Sequence, residues 1–168
     1  IVRRLVGSEM CIRDRIYSIS NFFMKNDFNF FDLLEKFNGK IIDNNHYYAL
    51  RVFYEDTDAG GIVYHSNYIK FCERARTALL TVLNIDQKKM LYDKKLAFVV
   101  RELNLKMIGS FTLNDIVVIK TCLKYAKKSY IKLIHEIFNV KEKKTDTFPI
   151  IKAEVQIVLI NEKKKVKD

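Results

Sequence analysis

Hydrophobic and polar residues alternate along most of the second half of the chain. This period of two is typical of β-strands that bury one face. It predicts strands in LAFVVRELNLKMI (96–108), DIVVIKTCLKYA (115–126), SYIKLIHEIFNV (129–140) and FPIIKAEVQIVLI (148–160). An earlier segment, HYYALRVFY (46–54), alternates in the same way and predicts a first strand, while the polar stretch EKKTDT (142–147) predicts the turn before the last one.

Between the first strand and the others, the period of the apolar residues changes to that of a helix. In SNYIKFCERARTALLTVLNI (66–85) they recur in steps of three and four, at Tyr68, Cys72, Ala75, Leu79 and Val82. This spacing predicts an amphipathic helix of about five turns. Ser66 or Asn67 is the predicted N-cap, because both side chains accept hydrogen bonds from free backbone amides.

The predicted order of elements is one strand, a long helix and then four long strands. Strands joined by short turns favour an antiparallel sheet, and the apolar stripe of the helix needs a large apolar partner. The sequence therefore predicts an α+β fold, in which an antiparallel sheet of about five strands is wrapped around one long central helix.

Residues 1–45 have no sustained period and predict an N-terminal extension, partly disordered or non-native. Its first part, IVRRLVGSEMCIRDR, is typical of a translated upstream or vector-derived segment, and Met24 is a candidate start. Within the extension, a short helix is predicted at 29–37 and a loop at 37–45. The predicted domain covers 46–160, and a charged tail covers 161–168. Whether a further segment follows that tail is not predicted.

Composition narrows the class of protein. The 168 residues are 49% hydrophobic and 30% charged, as expected for one soluble domain, and no apolar run reaches the roughly 20 residues that span a bilayer. Cys11, Cys72 and Cys122 are scattered without metal-binding spacing, so we expect reduced thiols, no metal and a cytoplasmic protein. The net charge of +10 favours anionic partners, but no nucleic-acid motif accompanies it, and solvated lysines on strand faces account for much of the charge.

The segment YEDTDAGGIVYHSNY (54–68) carries the candidate chemistry. It connects the first strand to the helix, whose first backbone N–H groups lack intrahelical partners and carry a partial positive charge. Asp58 offers a carboxylate, Gly60 and Gly61 let a ligand approach the backbone, and His65 offers an imidazole. This combination suits attack on a carbonyl carbon while amides hold the developing oxyanion.

The pattern RVFYEDTDAGGIVYHSNY (51–68), continued by ERART (73–77) and AFVVRELNL (97–105), resembles the 4-hydroxybenzoyl-CoA thioesterase family. The closest similarity is to the branch of bacterial acyl-CoA thioesterases encoded with the Tol-Pal envelope system, over roughly residues 46–160. The resemblance implies a hotdog fold, assembly into homodimers or homotetramers, and hydrolysis of acyl-CoA thioesters without a cofactor, since coenzyme A is part of the substrate.

The resemblance also implies roles for individual residues. Asp58 corresponds to the carboxylate that acts as nucleophile or general base, and the backbone N–H near His65 would polarise the thioester carbonyl. The His65 side chain either assists or packs at the helix start. The alternative for Asp58 is an aspartate that only caps the loop.

Other residues of the motif are expected to shape or brace the site. Tyr64, Asn67 and Tyr68 are candidate substrate-binding residues. Tyr64 and Tyr68 are predicted to line the pocket or join the core, and Asn67 to cap the helix or brace the loop. Asp56 is predicted to be structural, through a backbone amide or Arg51. For Glu73 we expect a salt bridge rather than an acid–base role.

The turn AKKSY (126–130) is the candidate site for the other end of the substrate. The phosphates of coenzyme A need cationic or hydrogen-bonding groups, which Lys127, Lys128 and Ser129 would supply. The alternative is an ordinary exposed turn.

Two rival functions remain open. One is a hotdog dehydratase or thioesterase that acts on acyl carrier protein, although its histidine and acid usually lie on different elements. The other is a non-enzymatic binding module associated with the cell envelope. The sequence does not predict the acyl chain, and a link to lipid metabolism or the envelope follows only from the resemblance.

Overall fold

Seven β-strands and two α-helices make up the computed structural model, which describes residues 37–141, 144–145 and 148–161. The strands are β1 (Lys40–Ile42), β2 (Asn45–Arg51), β3 (Leu96–Met107), β4 (Ile116–Ala126), β5 (Tyr130–Lys141), β6 (Lys144–Thr145) and β7 (Ile151–Asn161). The helices are α1 (His65–Val82) and α2 (Gln87–Tyr92), and a 3-10 turn spans Tyr54–Asp56. The helix predicted from residue 29 and most of the charged tail lie outside the described residues.

All strand pairs are antiparallel, as the short predicted turns required. The strand order is β1-β2-β4-β5-β7-β3, with the short β6 paired to β5 alone. The predicted sheet around one long helix is therefore confirmed. The sheet has two more strands than expected because β1 and β6 are short and carry little alternation.

The segment predicted as a loop at 37–45 instead contains β1, which forms a hairpin with β2. Asp43 and Asn44 are the two turn residues, and both have positive φ angles, of 49° and 61°. Such a pair is typical of a type I′ turn, the tight turn whose twist matches that of two antiparallel strands. The loop prediction was wrong at Lys40–Ile42 and at Asn45, because Asp43-Asn44 forms a tight turn that pairs the residues on either side of it as antiparallel strands.

The core lies between α1 and the inner face of the sheet. Tyr68, Phe71, Cys72 and Ala75 are buried along one side of the helix. Opposite them lie buried aliphatic residues of three strands, namely Val117, Ile119, Ile137, Ile151 and Ala153. Burying each large apolar side chain stabilises the fold by about 1.5–3 kcal/mol. The stripe is fully covered only over the first half of α1, since Leu79 and Val82 are half-buried.

Four lysines on the outer face of the sheet form ion pairs with two glutamates. Two glutamates each lie between two lysines: Glu136 between Lys120 and Lys152, and Glu154 between Lys124 and Lys132. Lys132 and then Lys124 lower the pKa of Glu154 to about 2. Paired and solvated lysines on a strand face thus account for part of the basic composition.

Three buried polar side chains lie side by side across the inner face. His46 on β2, Thr121 on β4 and His135 on β5 occupy directly paired positions, and we call them the polar row. The Thr121 hydroxyl lies 2.9 Å from His135 Nδ1, and an Arg76 nitrogen lies 3.4 Å from His135 Nε2. Because arginine can only donate, Nε2 accepts and Nδ1–H donates to Thr121. Arg76 also forms the predicted ion pair with Glu73.

Protonation of His135 would place a charge in this buried row beside Arg76. Burial first, and then the charges of Arg76 and His46, lower the pKa of His135 from 6.5 to about 3. His135 is therefore neutral in the folded protein over the whole physiological range, whereas in the unfolded chain it takes up a proton below about pH 6.5.

This difference predicts a loss of stability in mild acid. As pH falls from 7 to 5, only the unfolded state binds the proton, so His135 should lower the free energy of unfolding by about 2 kcal/mol. Urea unfolding followed by circular dichroism at the two pH values measures the loss. In His135→Gln, which can still accept from Arg76 and donate to Thr121, that part of the loss should disappear. The same pH dependence in both proteins would contradict the assignment.

Candidate active site

The segment between β2 and α1 folds into a tight turn at its centre. The Asp58 carbonyl accepts a hydrogen bond from the Gly61 N–H at 2.9 Å, and the Asp58 N–H donates to Ile62 O at 2.9 Å. Gly61 has a φ of +75°, in the left-handed region that favours glycine. A Cβ on Gly60 would lie 3.0 Å from Asp58 Oδ1, while one on Gly61 would meet no atom within 4 Å. The two glycines therefore satisfy the turn, and the open side of Gly61 leaves room for a ligand.

Asp58 is exposed and uses one carboxylate oxygen to hold the turn. Its Oδ1 accepts a hydrogen bond from the Gly60 N–H at 2.8 Å. Among the described residues no hydrogen bond to Oδ2 is found. Asp58 thus caps the loop, which was the alternative to a chemical role, and still presents an uncommitted oxygen at the surface.

Asp56 connects the turn to the helix. It is 4% exposed, and its Oδ2 accepts from the Phe53 N–H at 2.9 Å. Its carbonyl accepts from the Tyr64 N–H at 2.8 Å and from the Asn67 side-chain amide at 2.9 Å. The prediction that Asp56 is structural and bonds a backbone amide is confirmed, and so is the bracing role of Asn67.

The helix begins without the predicted cap. Tyr64 is the N-cap residue, with an extended backbone and no side-chain hydrogen bond to the helix. The predictions of Ser66 and Asn67 as caps were wrong because the N-cap is Tyr64, two residues before Ser66, and because the Asn67 side chain bonds to Asp56 instead. No partner is found in the described part of the chain for the N–H groups of His65 and Ser66. These amides, at the positive end of the helix dipole, remain available to a negatively charged atom.

Tyr64 and His65 lie at the surface beside this helix end. Tyr64 is 46% exposed, and the centres of the two rings are 4.3 Å apart. The structure shows no hydrogen bond from the His65 ring to any described residue. The imidazole is thus positioned by contact with a tyrosine ring and is open to solvent.

Tyr68 belongs to the core beneath the site. It is 2% exposed, its ring packs against Phe71 and Phe111, and its hydroxyl accepts from the Phe111 N–H at 3.3 Å. Burial raises the pKa of Tyr68; the Phe111 hydrogen bond opposes this rise, and the charges of Asp115 and Asp58 add to it.

Residues 111–115, which were not among the predicted site residues, support the loop. The Phe111 carbonyl accepts from the Val63 N–H at 2.8 Å, and Thr112 pairs with Ile62 in an isolated bridge. Asp115 Oδ2 in turn accepts from the Thr112 N–H at 2.8 Å. A threonine three residues before an aspartate is a local turn signal that could have indicated this ordered support.

Lys127, Lys128 and Ser129 lie far from Asp58 within one chain. They form the turn between β4 and β5, where the Lys127 ammonium lies over the rings of Tyr125 and Tyr130. The loop with Asp58 lies beyond the opposite end of β4, at Ile116, which pairs with Arg51. At about 3.3 Å per residue, the eleven residues of β4 separate the two ends by roughly 30 Å. A single protomer therefore does not bring these residues together.

Other candidate chemistry is sparse in the described ranges. There, no group of three or more His, Cys, Asp or Glu side chains is arranged to hold a metal ion. Cys72 is buried in the core, and burial raises the pKa of its thiol to about 12. Cys122 is also a free thiol. None of the described helices is long and apolar enough to cross a membrane.

Comparison with known proteins matches the sequence to a family. Residues 52–168 match the Thioesterase-like superfamily. The chain belongs to this superfamily. It is 35% identical to the acyl-CoA thioesterase YbgC of Haemophilus influenzae over 72% of this chain and 85% of that protein.

Solved structures agree on the fold. The crystal structure of a probable thioesterase from Bartonella henselae is 26% identical, with a TM-score of 0.65 over 73% of this chain and 97% of that one. The 4-hydroxybenzoyl-CoA thioesterase of Pseudomonas sp. strain CBS-3 shares the fold at 16% identity, with a TM-score of 0.63 over 69% of this chain and 84% of that one. The predicted hotdog fold and the resemblance to this thioesterase family are confirmed.

The Asn67 brace predicts a stability effect. In Asn67→Asp a carboxylate of the same shape would replace the amide donor and face the Asp56 carbonyl in a buried position. We expect the free energy of unfolding to fall by about 1–3 kcal/mol, because a buried acceptor loses its donor. Denaturant unfolding at pH 7 measures the change. Thr77→Ala, at an exposed position of the same helix, is the control; an equal effect in the two variants would contradict the bracing role.

Proposed function

We propose that this chain hydrolyses acyl-CoA thioesters to the free acid and coenzyme A. The observation that carries the proposal is the arrangement at the end of α1: a carboxylate with one uncommitted oxygen shares a braced loop with the two free amides of His65 and Ser66. The similarity to YbgC, which is named an acyl-CoA thioesterase and is covered over most of its length, supports the same activity.

In the proposed reaction Asp58 acts on the thioester carbonyl in one of two ways. As nucleophile, its free oxygen bonds to the carbonyl carbon, the coenzyme A thiolate leaves, and water then hydrolyses the resulting mixed anhydride. As general base, it takes a proton from the water that attacks the carbonyl, and the departing thiolate takes up a proton. In both cases the amides at the helix start stabilise the oxyanion, each contributing about 3 kcal/mol. The His65 imidazole, beside these amides, assists in proton transfer.

The phosphate end of the substrate requires a second chain. Lys127, Lys128 and Ser129 bind the coenzyme A phosphates in this proposal, yet they lie roughly 30 Å from the loop of the same protomer. A homodimer in which one protomer provides Asp58 and its partner provides the lysine turn removes this conflict. The edge strand β3, with Phe98, Val99 and Val100 exposed, supports an apolar contact between two copies. Two such dimers would give a homotetramer.

The cellular location and metabolic role of the enzyme are proposed from its similarity to known thioesterases. The resemblance to thioesterases encoded with the Tol-Pal system supports a cytoplasmic enzyme with a link to lipid metabolism or the cell envelope. No nucleic-acid partner is proposed. The rival function within this fold is an enzyme that acts on acyl groups attached to a carrier protein. Hydrolysis of free acyl-CoA would favour the thioesterase proposed here over that rival.

The role of Asp58 is tested with a panel of short, long and aromatic acyl-CoAs, by following release of the coenzyme A thiol. In Asp58→Asn the side-chain oxygen still accepts from the Gly60 N–H, so the turn is kept while the carboxylate is lost. We expect kcat/KM to fall at least about 100-fold. Asp93→Asn, at an exposed aspartate, should retain full activity. An active Asp58→Asn variant would exclude the proposed mechanism.

The shared site is tested by subunit complementation. The double variant Lys127→Ala/Lys128→Ala should raise KM with little change in kcat, because it weakens phosphate binding only. When it is mixed with Asp58→Asn under conditions that exchange subunits, random pairing makes about a quarter of the sites wild type. Activity at low substrate concentration should therefore rise above that of either protein alone. No rise, with subunit exchange verified by light scattering of tagged chains, would place each site within one protomer.

A further inference from the structure

Two tyrosines lie side by side at the tip of the β4–β5 hairpin. The ring centres of Tyr125 and Tyr130 are 6.0 Å apart, and the ring planes meet at 74°, so the pair is edge-to-face. Tyr125 is 36% exposed and Tyr130 is half-buried, and neither ring belongs to the hydrophobic core. The reaction proposed above uses the lysines of this hairpin but gives its aromatic rings no role.

A β-bulge aims Tyr125 at the outer face of the sheet. Strict alternation along β4 would point it inward with Leu123, which lies two residues earlier. The register shifts between these two residues, so that Tyr125 pairs with Lys132, a residue of the outer face. Tyr130, two residues before Lys132, shares that face. Bulges are over-represented beside functional sites, where they re-aim a side chain, and this one brings the two rings together.

A lysine of the same turn lies against both rings. The Lys127 ammonium is 5.8 Å from the ring centre of Tyr125 and 5.6 Å from that of Tyr130. Such cation–π contacts hold a lysine only weakly at an exposed position. The ammonium forms no ion pair with any residue that the structure describes, so a phosphate group can draw it off the rings. The rings are then free to receive a flat group in its place.

The other cations near the rings are partly offset. Lys124 and Lys132 both bind Glu154, at 2.9 and 2.8 Å, so one carboxylate is shared between them. Lys128 is exposed and has no ion-pair partner in the described ranges. A lone inorganic anion would use the free ammonium groups but not the rings, and an uncharged aromatic ligand would do the reverse. A phosphorylated ligand with a flat aromatic base uses both.

We propose that Tyr125 and Tyr130 bind the base of a purine nucleotide by stacking, while Lys127 and Lys128 bind its phosphates. Such a nucleotide could come from two sources. One is the adenosine 3′,5′-bisphosphate end of coenzyme A, and this source rests on the proposed function. The other is a free purine nucleotide that binds the hairpin independently of the thioester.

Two ligands that differ only in the base test the stacking on the full-length protein. 2′-Deoxyadenosine 3′,5′-bisphosphate, the adenine ligand, carries the base, whereas 1,2-dideoxyribose 3,5-bisphosphate, the abasic ligand, has the same sugar and phosphates without it. We expect the adenine ligand to bind at least about 5-fold more tightly in titration calorimetry.

Variants assign this preference to the two rings. It should be reduced or lost in Tyr125→Leu and in Tyr130→Leu, but kept in Tyr125→Phe and Tyr130→Phe, which retain an aromatic ring. Tyr92→Leu, at a tyrosine of α2 that is 61% exposed, is the control and should keep the preference.

A measurement on the unmodified chain covers the case in which these variants fold poorly. When a base stacks on a tyrosine, the ring current of the tyrosine moves the H2 and H8 proton resonances of adenine upfield. Both resonances should therefore move upfield when the protein is added to the adenine ligand. Unshifted resonances, equal affinity for the two ligands, binding of neither, or a preference that survives in both leucine variants would overturn the proposal.

The two sources are distinguished by kinetics with octanoyl-CoA and octanoyl-pantetheine, which lacks the nucleotide. If coenzyme A is the ligand, Tyr125→Leu should lower the ratio of kcat/KM for octanoyl-CoA to that for octanoyl-pantetheine at least about 5-fold, and the adenine ligand should compete with octanoyl-CoA. If the ligand is a free nucleotide, the ratio should stay at the wild-type value and no competition should occur. Absence of all hydrolysis would refute the proposed function, whereas tighter binding of the adenine ligand would still support the nucleotide site.

Discussion

Burial of the apolar side of α1 against one sheet is the constraint on which the rest of this structure depends. Among the described residues α1 is the one long helix that covers the inner face, and its first half packs closely on Val117, Ile119 and Ile137. The second half, where Leu79 and Val82 are only half-buried, borders a cavity of about 460 Å³. The position of the helix therefore fixes two things together: where its free amides point at one end, and where unfilled space remains at the other.

The candidate active site depends on this packing through a small number of buried hydrogen bonds. Asp56 joins the turn to the helix start, and the 111–115 segment holds the turn from the other side. Because Tyr68 and Phe111 fill the space below, the loop rests on a packed layer. In the proposed reaction the chemistry is left to exposed groups, Asp58 and the first amides of α1, whose positions are set by residues that need not touch a substrate.

Much of this arrangement could be predicted from the sequence, because alternation and helical spacing report directly on which faces are buried. The long strands and α1 have many repeats of their period, and the position of Asp58 before a helix start follows from the same pattern. Short elements were missed: β1 has three residues, and its turn was visible only in Asp43 and Asn44. The polar row was not predicted either. His46, Thr121 and His135 lie on three strands, and only the register of the sheet brings them into contact.

The separation between the two ends of β4 has a consequence for how such an enzyme can vary. The turn of the β4–β5 hairpin lies at one end of β4, and the loop that follows β2 lies near the other end. Among the described residues no side-chain contact joins the two. Lengthening or shortening both strands of the hairpin by two residues would move its lysines by about 6.6 Å along the strand axis. Because the side-chain period is two, every side chain that faces inward would still face inward. Under the proposed function, the reach of the hairpin towards coenzyme A can thus change independently of the chemical step, which makes the hairpin a separable module within a single folded domain.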